Sequence, residues 1–80
     1  MKLQQLRYLC EVIDSGLSVS KAAAKLHTVP SGISKQLKLL EDEIGLPLLQ
    51  RNSTRITGIS KAGAAALPTI RRILKDIEHV

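Results

Sequence analysis

The 80-residue sequence predicts a mainly α domain, in which three helices and a two-stranded hairpin precede a long helix. Three observations predict it. Leu and Ala are abundant while Tyr8 is the only aromatic residue, which favours helices over a β-sandwich. Apolar residues recur at helical spacing along most of the chain, and the period changes only after Gly45. Gly16, Ser60, Pro30 and Gly45 stand where helices should stop and start. A chain this short buries only about 60% of its unfolded surface, which means one domain with an aliphatic core.

Residues 3–15 read as the first helix, with Leu6, Leu9, Cys10 and Ile13 on one face. Asp14, Ser15 and Gly16 end it, glycine being a natural residue for the position after the cap, and Leu17 tucks back onto the core. Tyr8 lies off the stripe and either packs on the last helix or lends its hydroxyl to a partner. Ser18 or Ser20 caps a second helix, residues 19–27, whose Ala23 and Leu26 are expected to be buried. Its alanines let another helix cross closely, as two helices joined by a short turn must.

Residues 27–45, HTVPSGISKQLKLLEDEIG, form the stretch around which the rest is organised. At roughly 100° per residue, Leu37, Leu40 and Ile44 fall within about 40° of Ile33 and make a narrow apolar stripe. Ser31, Lys35 and Lys38 fall opposite, with Ser34 on the shoulder. Pro30 suits the first helical position, leaving Thr28 or Val29 as the cap. Gly32 in the first turn costs about 1 kcal/mol relative to Ala, which points to a close approach there. Glu41, Asp42 and Glu43 oppose the helix dipole and need another reason to be present; an ion pair from Glu41 to Arg51 is one candidate.

Beyond Gly45, residues 46–51 and 56–59 are short apolar segments around Asn52-Ser53-Thr54-Arg55. They read as a small hairpin with a polar, basic tip, or else as a connecting loop. Ser60 caps the last helix, in which Pro68 is a possible kink. Ala66, Ile70, Ile73, Ile77 and Val80 recur at spacings of four, three, four and three, an a/d seam that wants a partner helix and is read as a dimer interface. The sequence stops within this pattern, as a domain cut from a longer chain would.

The net charge of +5 is unevenly spread. Residues 18–61 hold seven cations (Lys21, Lys25, Lys35, Lys38, Arg51, Arg55 and Lys61) against three acids (Glu41, Asp42 and Glu43), which leaves +4 in that segment. This is the footprint of a polyanion-binding surface, and a helix offering cations and short hydroxyls from one face suits a phosphate-lined groove. The rival reading is a helical protein-interaction module whose basic surface is incidental. An enzyme is not expected, because no carboxylate pair, Cys/His cluster or phosphate-binding glycine loop is present in the sequence. His27 has only His79 as a companion, so neither metal nor cofactor is expected. Cys10 cannot form an internal disulfide and is read as a small core residue. No apolar run approaches a membrane span and no signal-peptide pattern opens the chain, which makes the cytoplasm the expected compartment.

LQQLRYL near the start, SKAAAKLH in the second helix and GISKQLKLLEDEIGLPLLQR through the third resemble the N-terminal winged helix-turn-helix domain of LysR-type transcriptional regulators. Ser60-Lys61-Ala62-Gly63 stands where that family usually has Thr-x-x-Gly. MKLQQLRYLCEVIDSG, LHT, GISKQ, LLEDE and TGI are most similar to its CysB-type branch, which regulates sulfur assimilation. The resemblance implies a winged helix-turn-helix over residues 1–59, a linker helix over 60–80, and a C-terminal effector-binding domain that is not in this sequence. It further implies a homodimer joined by the linker helix, a dimer of dimers in the longer protein, and a small-molecule effector on the further domain. Double-stranded DNA is the implied partner. Pro30, Ser31, Ser34, Lys35 and Lys38 are expected at the major groove, with Arg51 and Arg55 in or beside the wing and Lys21, Lys25 and Lys61 on phosphates. Val29-Pro30 departs from the family's usual Ser-Gln, which removes a usual cap and an amide that often reads bases.

Overall fold

The computed structural model describes residues 1–53 and 55–80, and Thr54 in the expected hairpin tip lies outside them. The chain runs α1 (Leu3–Asp14), α2 (Val19–Lys25), α3 (Pro30–Ile44), β1 (Leu49–Asn52), β2 (Arg55–Ile59) and α4 (Lys61–Glu78). The expected mainly α, winged helix-turn-helix architecture is therefore the observed one.

Helix α1 is packed by α2, α3 and α4, so its buried surface is wider than one stripe. Leu6, Leu9 and Cys10 are buried as expected, but Val12 is wholly buried while Ile13 is only half-buried. Gln5 is buried too. Its Oε1 accepts from Lys2 N–H at 2.9 Å and its Nε2 donates to Gln36 Oε1 at 3.1 Å, so one amide both caps α1 and ties it to α3. At the other end Leu17 N–H donates to Val12 O and Gly16 N–H to Ile13 O, a Schellman closure with Gly16 at φ +72°.

The turn between α2 and α3 corrects one boundary, the end of α2. Ser18 caps α2 by accepting from Lys21 N–H at 3.1 Å, but the helix ends at Lys25 and not at His27. A second Schellman closure ends it, Thr28 N–H donating to Ala23 O, with His27 in the left-handed region at φ +54°. Helix α3 starts at Pro30, the first helical position expected from the sequence, and Val29 rather than Thr28 is its cap residue. Because α2 stops early, Leu26 lies beyond it and is 36% exposed, whereas Ala22 joins Ala23 in the core. Of the α3 stripe, Ile33, Leu37 and Leu40 are buried, but Ile44 in the last turn is 37% exposed.

Strands β1 and β2 pair antiparallel as the wing. The register slips after Gln50, which pairs with Gly58, while Arg51 pairs with Ile56, so Thr57 has no partner residue on β1. Asn52 and Arg55 belong to the strands rather than to the tip. Leu48 and Leu49 drop into the core beside Leu37 and Leu40.

Ser60 fastens α4 to the sheet. Its hydroxyl accepts from Gly63 N–H at 2.9 Å and donates to Pro47 O at 2.6 Å. A Cβ on Gly63 would come within 2.1 Å of Leu48 O, so only glycine fits where α4 crosses the chain leading into β1. The helix continues through Pro68. Its inward face is Gly63, Ala66, Leu67, Ile70 and Leu74, and Ile70 is buried in the domain's own core. The expected seam is thereby divided. Ile70 and half-buried Ala66 serve this domain, while Ile73 and Ile77 are exposed and Val80 lies past the end of the helix.

Candidate nucleic-acid interface

The outer face of α3 is built by two rows at helical spacing. Pro30, Ser34 and Lys38 stand four residues apart in one row, and Ser31 and Lys35 make the second. All five are exposed. Behind them Ile33, Leu37 and Leu40 hold the helix against α1 and α2, so the face cannot rotate without emptying the core.

Alongside this face runs a groove of about 670 Å³ between the start of α2, the middle of α3 and the wing. Lys21 reaches it from α2, Ser34 and Lys38 from α3, and Arg51 and Arg55 from the wing strands. Ser18, Ser20 and Ser53 add hydroxyls, and no carboxylate is among its described lining residues. Four cations converging on one concavity attract anions far more than the same charges spread over a surface.

The position of Arg51 depends on Glu41. The Glu41 carboxylate is buried near the C-terminal end of α3 and accepts from Leu48 N–H at 2.6 Å and Leu49 N–H at 3.2 Å. Its other oxygen faces Arg51 Nη2 at 2.7 Å, the ion pair expected from the sequence. That pair is close but not aligned as a good hydrogen bond. Burial alone would push the Glu41 carboxyl up, yet Arg51 and the two amides outweigh it and hold it below the ordinary carboxylate range. The other two acids of the triplet are surface partners: Asp42 lies 3.8 Å from Lys38, and Glu43 meets the Met1 amino group.

Five of the residues expected to bind DNA, Lys21, Ser34, Lys38, Arg51 and Arg55, are thus gathered at the groove. Pro30, Ser31 and Lys35 sit next to it on the same helix. Lys25 and Lys61 do not line it. Lys25 instead pairs with Glu11 of α1 at 3.5 Å, and Lys61 is exposed at the first position of α4. Ser53 was not expected at the groove, and Ser18 and Ser20 were considered only as alternative caps of α2. A run such as Ser18-Val19-Ser20 marks a helix start, and the residues of a helix start project hydroxyls beside the cap, which was the available signal. Among the described residues, no group of acids, cysteines or histidines has the arrangement of a metal site.

Three core helices with a short turn between the second and third, followed by a two-stranded antiparallel wing, define a winged helix-turn-helix protein. The family model described as "Bacterial regulatory helix-turn-helix protein, lysR family" matches residues 3–64. The chain belongs to that family. It is similar over its whole length to the HTH-type transcriptional regulators CysB of Haemophilus influenzae, at 43% identity, and SsuR of Burkholderia cenocepacia, at 39%. It spans 25% and 26% of those proteins, about a quarter of each. Among solved structures it resembles the CbnR DNA-binding domain in complex with DNA, with TM-score 0.88 and 34% identity over 99% of this chain and 88% of that one. The BenM DNA-binding domain on its catB site 1 DNA gives TM-score 0.88 and 30% identity over 99% of this chain and 86% of that one.

Proposed function

We propose that this chain is the DNA-reading domain of a bacterial transcriptional regulator and binds duplex DNA sequence-specifically. The observation that carries the reading is the groove lined by Lys21, Lys38, Arg51 and Arg55 that adjoins the exposed face of α3, with Arg51 held there by Glu41 from behind the lining and Asp42 near Lys38. In this arrangement α3 lies in the major groove, with Pro30, Ser31, Ser34 and Lys35 nearest the base edges. Lys38, Lys21, Arg51 and Arg55 take phosphates on either side, and Arg55 on the wing also reaches toward the minor groove. Lys61 is an outlying phosphate partner, and Lys25 serves chiefly to bridge α2 to α1. The CbnR and BenM domains solved on DNA share this fold and support the reading.

The exposed Ile73 and Ile77 of α4, with Val80 beyond it, are the proposed dimer contact, so residues 60–80 act as a linker helix after a reading domain of residues 1–59. Because the chain spans a quarter of its relatives, a further C-terminal domain binding a small-molecule effector belongs to the same proposal, as does a dimer of dimers. The narrower reading, control of sulfur and cysteine metabolism genes, rests on likeness to the CysB-type branch. A regulator of this kind performs no catalysis and works in the cytoplasm. Among the described residues, no helix is long and apolar enough to cross a membrane.

Salt dependence tests the phosphate contacts. Each phosphate neutralised adds about 0.9 to the slope of log K against log salt, so four or five contacts per chain imply a slope of about −4. Arg55→Ala should make that slope shallower by about 1 and weaken all sites alike. An affinity for its DNA site that barely changes between low and moderate salt would refute the proposal.

A further inference from the structure

We propose that the start of α3 recognises a thymine by apolar contact of Val29 and Pro30 with its C5-methyl group; this deepens the DNA-binding reading above and rests on it. Val29 is the cap residue of α3 but has no polar atom with which to cap, and it is 60% exposed. Pro30, at the first helical position, is exposed and has no N–H. Together they form an apolar lip at the end of the helix that, in helix-turn-helix proteins, meets base edges. Pro30 also heads the row continued by Ser34 and Lys38, both of which line the cationic groove, so ring, hydroxyl and ammonium face the same partner. Neither side chain of the lip can donate or accept a hydrogen bond. Pressed against guanine, adenine or cytosine it would leave a base-edge donor or acceptor unpaired in a dry contact. The methyl of thymine is the one apolar feature that the major groove displays, and it matches an isopropyl group and a pyrrolidine ring. Gly32 keeps this turn slim. A Cβ there would meet Val29 Cγ2 at 3.5 Å and Thr28 Oγ1 at 3.9 Å, ordinary contacts, so nothing within the chain requires glycine.

The test replaces each thymine of a bound site singly by deoxyuridine, which removes only the methyl group. The site is first selected from random duplex DNA with the 80-residue chain. One thymine in each half-site should then be methyl-dependent, with binding weakened about threefold to fivefold by its loss, as expected for one apolar carbon. Pro30→Gln, checked for helical content by circular dichroism, should bind the thymine and deoxyuridine versions more nearly equally than the wild type does, with Val29 left as the remaining contact. A specific site at which no thymine methyl matters, or an unchanged dependence in Pro30→Gln, would overturn the proposal and leave the DNA-binding reading intact. Failure to enrich any site would overturn both.

Discussion

At Glu41 burial acts on the carboxylate in one direction, the neighbouring Arg51 charge and two backbone amides act in the other, and the latter prevail. The folded carboxyl is held below its ordinary range, so its contribution to stability is fully present at neutral pH. That contribution is lost as pH falls below the unfolded value and then through the lower folded one. Glu41→Gln keeps an oxygen for the Leu48 and Leu49 amides but sets an NH₂ group against Arg51. We expect it to destabilise the domain by about 1–2 kcal/mol at pH 7, measured by urea unfolding. The loss of stability on acidification should be shallower in the variant than in the wild type. This residue was legible in the sequence because an acid near a helix C-terminus is unfavourable unless something compensates, and Arg51 was the nearest cation of the hairpin. Gln5 was not legible. A glutamine one turn into an amphipathic helix looks like a surface residue until the helix packed against it, with Gln36, is in place. Asp14, held low by the Arg71 hydrogen bond, likewise joins α1 to α4 in a way that no local pattern announces.

Among the elements, α4 shows most clearly what periodicity reveals and what it leaves open. Spacings of three and four identify an apolar stripe, but the same spacing serves a partner chain and the domain's own core. Ile70, expected in a dimer seam, is instead packed in the domain core where α4 meets α1, because the helix is anchored at Ser60 and Gly63 and must cross the domain before leaving it. Gly63→Ala tests that anchoring. With Leu48 O only 2.1 Å from an added Cβ, either α4 or the chain into β1 must shift. A loss of about 1–3 kcal/mol in thermal or urea unfolding is expected, and an unchanged midpoint would show that the crossing is not tight. The end of α2 was misplaced because its turn closes on a left-handed residue other than glycine. His27 at φ +54° closes α2, and a histidine carries no sequence signal for that role. Gly16 and Gly45, in the same region, marked their helix ends correctly.

For the whole molecule, the charge distribution was the most informative sequence feature and its spatial convergence the least. Seven cations in residues 18–61 announced a basic surface, yet only folding divides them into the groove set of Lys21, Lys38, Arg51 and Arg55, Lys35 beside it on the face of α3, and the outlying Lys25 and Lys61. The apolar surface divides in a similar way, leaving Ile73 and Ile77 outward when the core is complete. Ile77→Glu should therefore abolish self-association in sedimentation experiments while leaving the unfolding midpoint of the domain nearly unchanged, since this side chain is 40% exposed in one chain. A large drop in stability measured at concentrations where the chain is monomeric would mean that Ile77 belongs to the domain core. The central claim is that the face of α3 and the groove beside it read duplex DNA, and selection of bound sites from random duplex DNA tests it most directly. A dyad-symmetric consensus, lost when Ser34 and Lys35 are replaced by alanine in a folded protein, is the predicted result. Recovery of DNA with no preferred sequence, or a consensus unaffected by those replacements, would contradict it.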